Sequence, residues 1–247
     1  MNEGERIKLL YMGILERNIL SFLNYQNSKI INEFTNDWNK FKVEIGRIIK
    51  EDKIRGEKIL KDVYTRLYSD YGTWQYREIV GNTRDYFTSS VEIIREINRI
   101  ADESVKAINK TSYNVWERIA KNAIDQGLSI EETAKIVRTQ MPKMTKYRSK
   151  LIARTEVIGQ SNKISLNSAN QVSGKVLKFW IYTHDTRTRK THKKAGVDYD
   201  KTKAIPLDQK FKVGKAELMH PADKDTEHKE EIYNCRCALG YVRKEEG

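Results

Sequence analysis

All four histidines and both cysteines of this chain lie after residue 183. They fall in His184-Asp-Thr-Arg-Thr-Arg-Lys-Thr-His192, His220-Pro-Ala-Asp223, His228 and Asn234-Cys-Arg-Cys237. Thiolates and imidazoles together are the donor set of zinc. On a strand, residues i and i+2 share a face, so Cys235 and Cys237 are expected to point the same way, with His192 as third candidate ligand. A structural zinc is then one reading. The other is a pair of small thiols packed beside His192 with no metal and no cofactor. Zinc sites more often carry a CxxC pair than CxC, so both readings stay open. A metal-dependent nuclease would use the same region differently, with His184 and Asp185, helped by His228 and Asn234, activating water and holding an ion. No acidic cluster suggests a two-metal site, so no catalytic residue is assigned and the chain is read as a non-enzyme.

Between the histidines lies a basic run. Arg187, Arg189, Lys190, Lys193 and Lys194 fall within eight positions, read as a loop that contacts DNA phosphates or is simply solvated. Asp185 and Arg187 open it, and such a pair fixes loop geometry through charge-assisted hydrogen bonds. Neighbouring strands would bring Asp185, Arg187, His192, Asn234, Cys235 and Cys237 into one structural cluster, with Asn234 bonding the loop backbone.

The elements that must position these residues can be read from proline and periodicity. Only Pro142, Pro206 and Pro221 occur, so the first 141 residues permit long helices. Ile31, Phe34, Trp38, Phe41, Ile45 and Ile48 form a heptad-like stripe. Leu60, Val63 and Leu67 resume one beyond Gly56, a turn is expected at 69–74, and Phe87, Val91, Ile94, Ala101, Val105 and Ile108 form a third. Tyr113–Gln126 is expected as a shorter helix stopped by Gly127. Ser129 to Glu132 fits a capping box for a helix that Pro142 closes, and another helix spans about 146–172. Val176–Tyr182 reads as a buried strand, short strands follow near Ala204–Leu207 and Phe211–Val213, and Ile232–Val242 reads as the last. The fold class is α+β, with a long-helix region over 1–110 and a domain of helices then a small sheet over 111–247.

The 247 residues are 32% charged and 38% apolar. No apolar run suffices for a membrane span, and the N-terminus lacks the unbroken apolar stretch of a secretory signal. Two cysteines are too few for a disulfide framework, which points to a reducing setting. Net charge is +12, divided unevenly: residues 1–141 hold 23 Lys/Arg against 21 Asp/Glu, and residues 142–247 hold 23 against 13. A basic excess so concentrated is the footprint of a segment that meets phosphate or another polyanion.

One arrangement of residues resembles the phage Mu F-like minor head protein family, the phage head morphogenesis proteins. It comprises Ala153-Arg-Thr-Glu156, Trp180, Asp185-x-Arg187-x-Arg189-x-x-His192, Gly196, Phe211, Pro221-x-Asp223 and Asn234-Cys-Arg-Cys237, in that order over about 110–240. The resemblance implies a structural component of the virion, inside the capsid, present in the host cytoplasm during assembly. Its implied partners are the portal protein, capsid or scaffold proteins and double-stranded DNA, with a role in packaging or ejection. Some family sequences have Cys where this chain has Arg189 and His192, so a four-cysteine metal site does not carry over intact. His192, Cys235 and Cys237 supply three ligands, and His184, His220 or Asp185 would complete the set. Similar modules also occur in larger bacterial toxins, but no appended effector domain is evident.

Overall fold

The computed structural model describes residues 1–81 and 90–244. Five long helices come first: α1 (Glu3–Asn32), α2 (Trp38–Glu51), α3 (Lys53–Val80), α4 (Val91–Asp125) and α5 (Ile130–Asn170). Then follow β1 (Lys175–Ile181), α6 (Lys190–Asp198), β2 (Ile205–Pro206), β3 (Phe211–Val213), β4 (Ala216–Leu218) and β5 (Ala238–Lys244). The fold is α+β, with helices preceding a small antiparallel sheet. Among the described residues, no helix is long and apolar enough to cross a membrane.

The chain divides into two compact units, each with its own core. The helical unit comprises Ile14–Val63 and Val91–Lys150. Phe34, Phe41, Ile45, Trp116, Val137 and Met141 are buried in one of its clusters. The rings of Phe34 and Phe41 meet edge-on at 4.8 Å, and Phe41 meets Trp116 at 6.2 Å. Burying an indole N–H requires an acceptor. Trp116 Nε1 donates to Asn27 Oδ1 (3.0 Å), and Asn27 Nδ2 donates to Thr145 Oγ1 (3.1 Å).

The stripe expected over 31–48 is interrupted. α1 ends at Asn32 and α2 starts at Trp38, because Asp37 caps it by accepting from the amides of Asn39 and Lys40. Phe34 and Phe41 nonetheless enter the same core. Gly56 lies inside α3, not at a break; a Cβ there would come within 3.1 Å of both Phe22 and Val105. Of the third stripe, Phe87 lies outside the described residues. Ala101, Val105 and Ile108 are buried, but Val91 and Ile94 face solvent while Ile93, Ile97 and Ile100 turn inward. The 113–126 helix is the end of the unbroken α4, stopped at Gly127 with φ +64°. Ser129 and Glu132 form the reciprocal bonds of a capping box.

Two expected breaks are continuous helix. Residues 69–74 lie within α3, where buried Leu67, Tyr68 and Tyr71 outweigh the ~1 kcal/mol helix penalty of one glycine. Pro142 sits inside α5. It removes one backbone hydrogen bond, but burial of Val137 and Met141 before it and of Ala153 and Val157 after it keeps both flanks helical.

The second unit comprises Met1–Gly13, Tyr64–Ser90 and Leu151–Gly247. Its three-stranded sheet has the order β2-β1-β5, all antiparallel, with Trp180 opposite Leu239 and Ile181 opposite Ala238. β3 and β4 form a separate hairpin. Ile158, Leu166, Trp180, Phe211, Leu218, Ile232 and Leu239 share the core. Inside it, fully buried Lys178 donates from Nζ to the Met219 carbonyl (2.8 Å) above the Phe211 ring, and burial lowers its pKa to about 8. The last strand begins at Ala238, not Ile232, so the cysteines precede it.

Trp116→Ala is expected to destabilise the protein by about 3–5 kcal/mol through cavity formation, read as a shifted denaturant midpoint. A loss below about 1 kcal/mol would contradict its role as a core ring.

Candidate functional site

The turn from Tyr233 to Cys237, which leads into β5, lacks regular structure yet buries Cys235 and Cys237, so its backbone groups need partners. α5 supplies several. Thr155 Oγ1 accepts from the Asn234 amide (3.1 Å), and Arg154 donates to Asn234 Oδ1 (2.7 Å). Two turns further along the same helix, Asn162 donates to the Cys237 carbonyl and accepts from the Leu239 amide, both at 3.0 Å. From the other side Thr183 donates to the Arg236 carbonyl (3.1 Å) and Arg189 to that of Tyr233 (2.5 Å). Asn234 itself adopts φ +58°, a left-handed conformation that asparagine tolerates better than most residues.

This turn carries both thiols to one buried imidazole. His192 Nδ1 lies 3.3 Å from Cys237 Sγ and 3.7 Å from Cys235 Sγ. Its Nε2 is 3.0 Å from Glu231 Oε2, which also accepts from Thr191 Oγ1 (2.8 Å). The thiol hydrogen bond from Cys235 holds the Cys237 pKa below the ordinary thiol range, and the same bond, reinforced by burial, pushes Cys235 up. These two thiols and the imidazole form a group that could hold a metal ion, the one such group found among the described residues, their ligand atoms all within 4.8 Å of one another.

Asp185 is placed by a residue to which the sequence pattern assigns no role. Arg236 donates to both its oxygens, at 2.5 and 2.8 Å, and holds the carboxyl well below the usual carboxylate range. Arg187 contributes its backbone amide (3.0 Å) and a long side-chain contact of 3.5 Å, with its side chain 75% exposed. Asp185, Cys235, Cys237 and His192 are thus linked through the turn, whereas Arg187 stays peripheral and Asn234 faces α5.

The basic run is not a loop throughout. Lys190, Lys193 and Lys194 stand on α6 with His192, and Lys194 pairs with Asp198 at 2.7 Å. Gly196 lets this helix approach β1: a Cβ there would fall 2.1 Å from the Tyr182 ring. None of the three candidates for completing a four-ligand set joins the thiols. His184 stacks on Tyr182 with ring centroids 4.1 Å apart, and Asp185 is engaged by Arg236. His220 is buried with Nδ1 3.1 Å from the Pro221 carbonyl and Nε2 4.0 Å from Asp223. His228 faces Glu230 at 3.1 Å.

Sequence reasoning assigns no role to Arg154, Thr155, Asn162, Glu231 or Arg236. Three of them lie in quoted motifs, Arg154 and Thr155 beside Glu156, and Arg236 between the cysteines. Glu156, buried, accepts Lys224 Nζ at 2.5 and 2.6 Å and the hydroxyl of Tyr64. For Asn162 the available signal is its place seven residues after Thr155, on one face of a helix.

A family model described as Phage Mu protein F like protein matches residues 114–240, just over half of the chain. Neither the curated proteins nor the solved structures gave a match.

Asn162→Leu is expected to cost about 2–4 kcal/mol, because two buried backbone groups lose their partner; chemical denaturation measures it. Asp185→Asn carries a pH signature. The folded carboxyl titrates below its unfolded value of about 3.9, so the ion pair stabilises above about pH 4 and fades as pH falls through the folded value. The melting gap between wild type and Asp185→Asn should be full at neutral pH and close in acid. A gap independent of pH would rule out the Asp185–Arg236 ion pair as its source.

Proposed function

The chain belongs to the phage Mu protein F-like family, one of phage head morphogenesis, and from that premise we propose that it is a minor head protein binding DNA without sequence preference. On this reading it sits inside the capsid near the portal and assists packaging or ejection. The observation that carries the DNA contact is the charge distribution, with 23 Lys/Arg against 13 Asp/Glu after residue 141. Lys and Arg neutralising phosphates give affinity that needs no base contact and falls with salt. The exposed side chains of Arg187 and Lys190 lie on one such stretch. Residues 1–110 are proposed to dock on the portal or another capsid protein, and residues 111–247 to form the basic domain.

The role is structural on this reading, and the bonding around the Asn234–Cys237 turn supports it. Arg154, Arg189, Arg236 and Asp185 each bond within the turn and its supports, which is the work of a brace.

Duplexes of unrelated sequence, titrated with the full chain across salt concentrations, test the proposal. Similar affinities are expected for all of them, with log K falling linearly against log salt. Replacing Arg187, Arg189, Lys190, Lys193 and Lys194 together should weaken binding uniformly and flatten the slope by about 0.9 for each phosphate no longer neutralised. Salt-independent affinity would reject phosphate contact. Cleavage of DNA with magnesium, manganese or zinc, abolished in His184→Ala or His228→Ala, would replace the structural reading with a nuclease.

A further inference from the structure

We propose that Cys235 Sγ, Cys237 Sγ and His192 Nδ1 hold one zinc ion, whose fourth position faces a small cavity and takes a water molecule. This goes beyond the head-protein reading and does not depend on DNA binding. Four observations carry it.

The first is the size of the triangle. Zinc bonds are about 2.3 Å to sulfur and 2.0–2.1 Å to nitrogen, which in a tetrahedron gives N···S edges of about 3.5 Å. The two N···S separations here are 3.3 and 3.7 Å. The second is the orientation of the imidazole. Glu231, fixed in turn by Thr191, faces Nε2; a proton held there leaves the Nδ1 lone pair directed at the sulfurs. A carboxylate behind a ligating histidine is the usual way such a ligand is oriented. The third is Trp180. Its buried indole N–H has no nitrogen or oxygen partner and faces the Cys237 sulfur. Its ring stands edge-on to His192 at 5.6 Å. A neutral packed thiol gives that N–H little to bond, whereas a metal-bound thiolate is an acceptor.

The fourth observation concerns the open side. The ligands border a cavity of about 20 Å³, shared with Thr183, Arg187, Thr188, Arg189, Asn234 and Arg236, enough for one water. No fourth His, Cys, Asp or Glu ligand joins the group among the described residues. The nearby arginines offset the negative charge of two thiolates. Two thiolates and an imidazole suit zinc better than the hard cations that prefer oxygen.

The test uses the full chain, purified with reductant and without chelator. Elemental analysis should find about one zinc per chain. After exchange, cobalt(II) should give a thiolate-to-metal charge-transfer band and the intense visible absorption of a tetrahedral site, and added azide should shift the visible bands. Cys235→Ser, Cys237→Ser and His192→Ala should each abolish the spectrum. Those variants can fail to fold, so Glu231→Gln serves as the gentler probe. It should retain the site at saturating zinc but weaken affinity about 10–100-fold, with no comparable change if Glu231 merely packs. Wild-type protein with no zinc and no cobalt charge transfer would overturn the proposal. So would an intact mass lighter by two hydrogens under reductant, the mark of a Cys235–Cys237 disulfide. A cobalt spectrum indifferent to azide would overturn the open fourth position.

Discussion

A buried stretch of chain with no ladder to join is the constraint on which this site depends. Between the short helical turn at Lys229–Glu231 and β5, the backbone from Tyr233 to Cys237 has no ladder and relies largely on side chains for its polar groups. Leaving one buried group unpaired costs about 1–3 kcal/mol, so several left open at once would exceed much of a domain's net stability. Thr155, Asn162, Thr183 and Arg189 meet that demand. Because they hold backbone atoms, they fix where Cβ of Cys235 and Cys237 project. The thiols reach His192 as a consequence of how the turn is tied to α5.

Charge inside this unit follows the same rule. Glu156 is buried and is met by Lys224. Asp223 accepts from the amides of Met219 and Asp225 and faces His220. Lys178 has a carbonyl and an aromatic face, weaker compensation than a carboxylate in contact, and its depressed pKa reflects that. Breaking a buried pair leaves an uncompensated charge, which costs more than the pair contributes net. These groups therefore specify one arrangement of the segment from Met219 to Leu239, in which Ile232 reaches the core and the cysteines reach α6.

What the sequence made legible was what depends on near neighbours. The capping box at Ser129, the stop at Gly127 and strand β1 all rest on residues within one or two turns of each other. α6 was not legible, because in Lys190–Asp198 only His192 and Ala195 are buried and its N-cap Arg189 makes no side-chain cap bond. Its helix forms because Ala195 and Gly196 pack it onto β1, which no local pattern announces. The sequence pattern starts the last strand too early because Ile232 and Tyr233 look strand-like, yet Ile232 is buried from a turn. The true partner of Asp185 was hidden by distance: Arg187 is two residues away and Arg236 fifty-one, and a bidentate guanidinium outweighs a near but exposed one.

The same partnerships bear on where phosphate could be met. Within the basic run, Arg189 is tied to the Tyr233 carbonyl and Lys194 to Asp198, so part of that run serves the fold. Lys201, Lys203, Lys210, Lys212 and Lys215 add exposed charge elsewhere in the unit. Attraction to a polyanion depends on the summed field of such charges more than on any single contact, and an exposed ion pair such as Lys194–Asp198 is held by no more than about 1 kcal/mol. A phosphate can displace it at small cost. Arg236, half-enclosed and bidentate on Asp185, would have to abandon a strong pair and release the turn that carries the thiols. On the proposed reading, phosphate contact would draw mainly on Arg187 and the exposed lysines, while Arg189 and Arg236 are held by the cysteine turn and its supports.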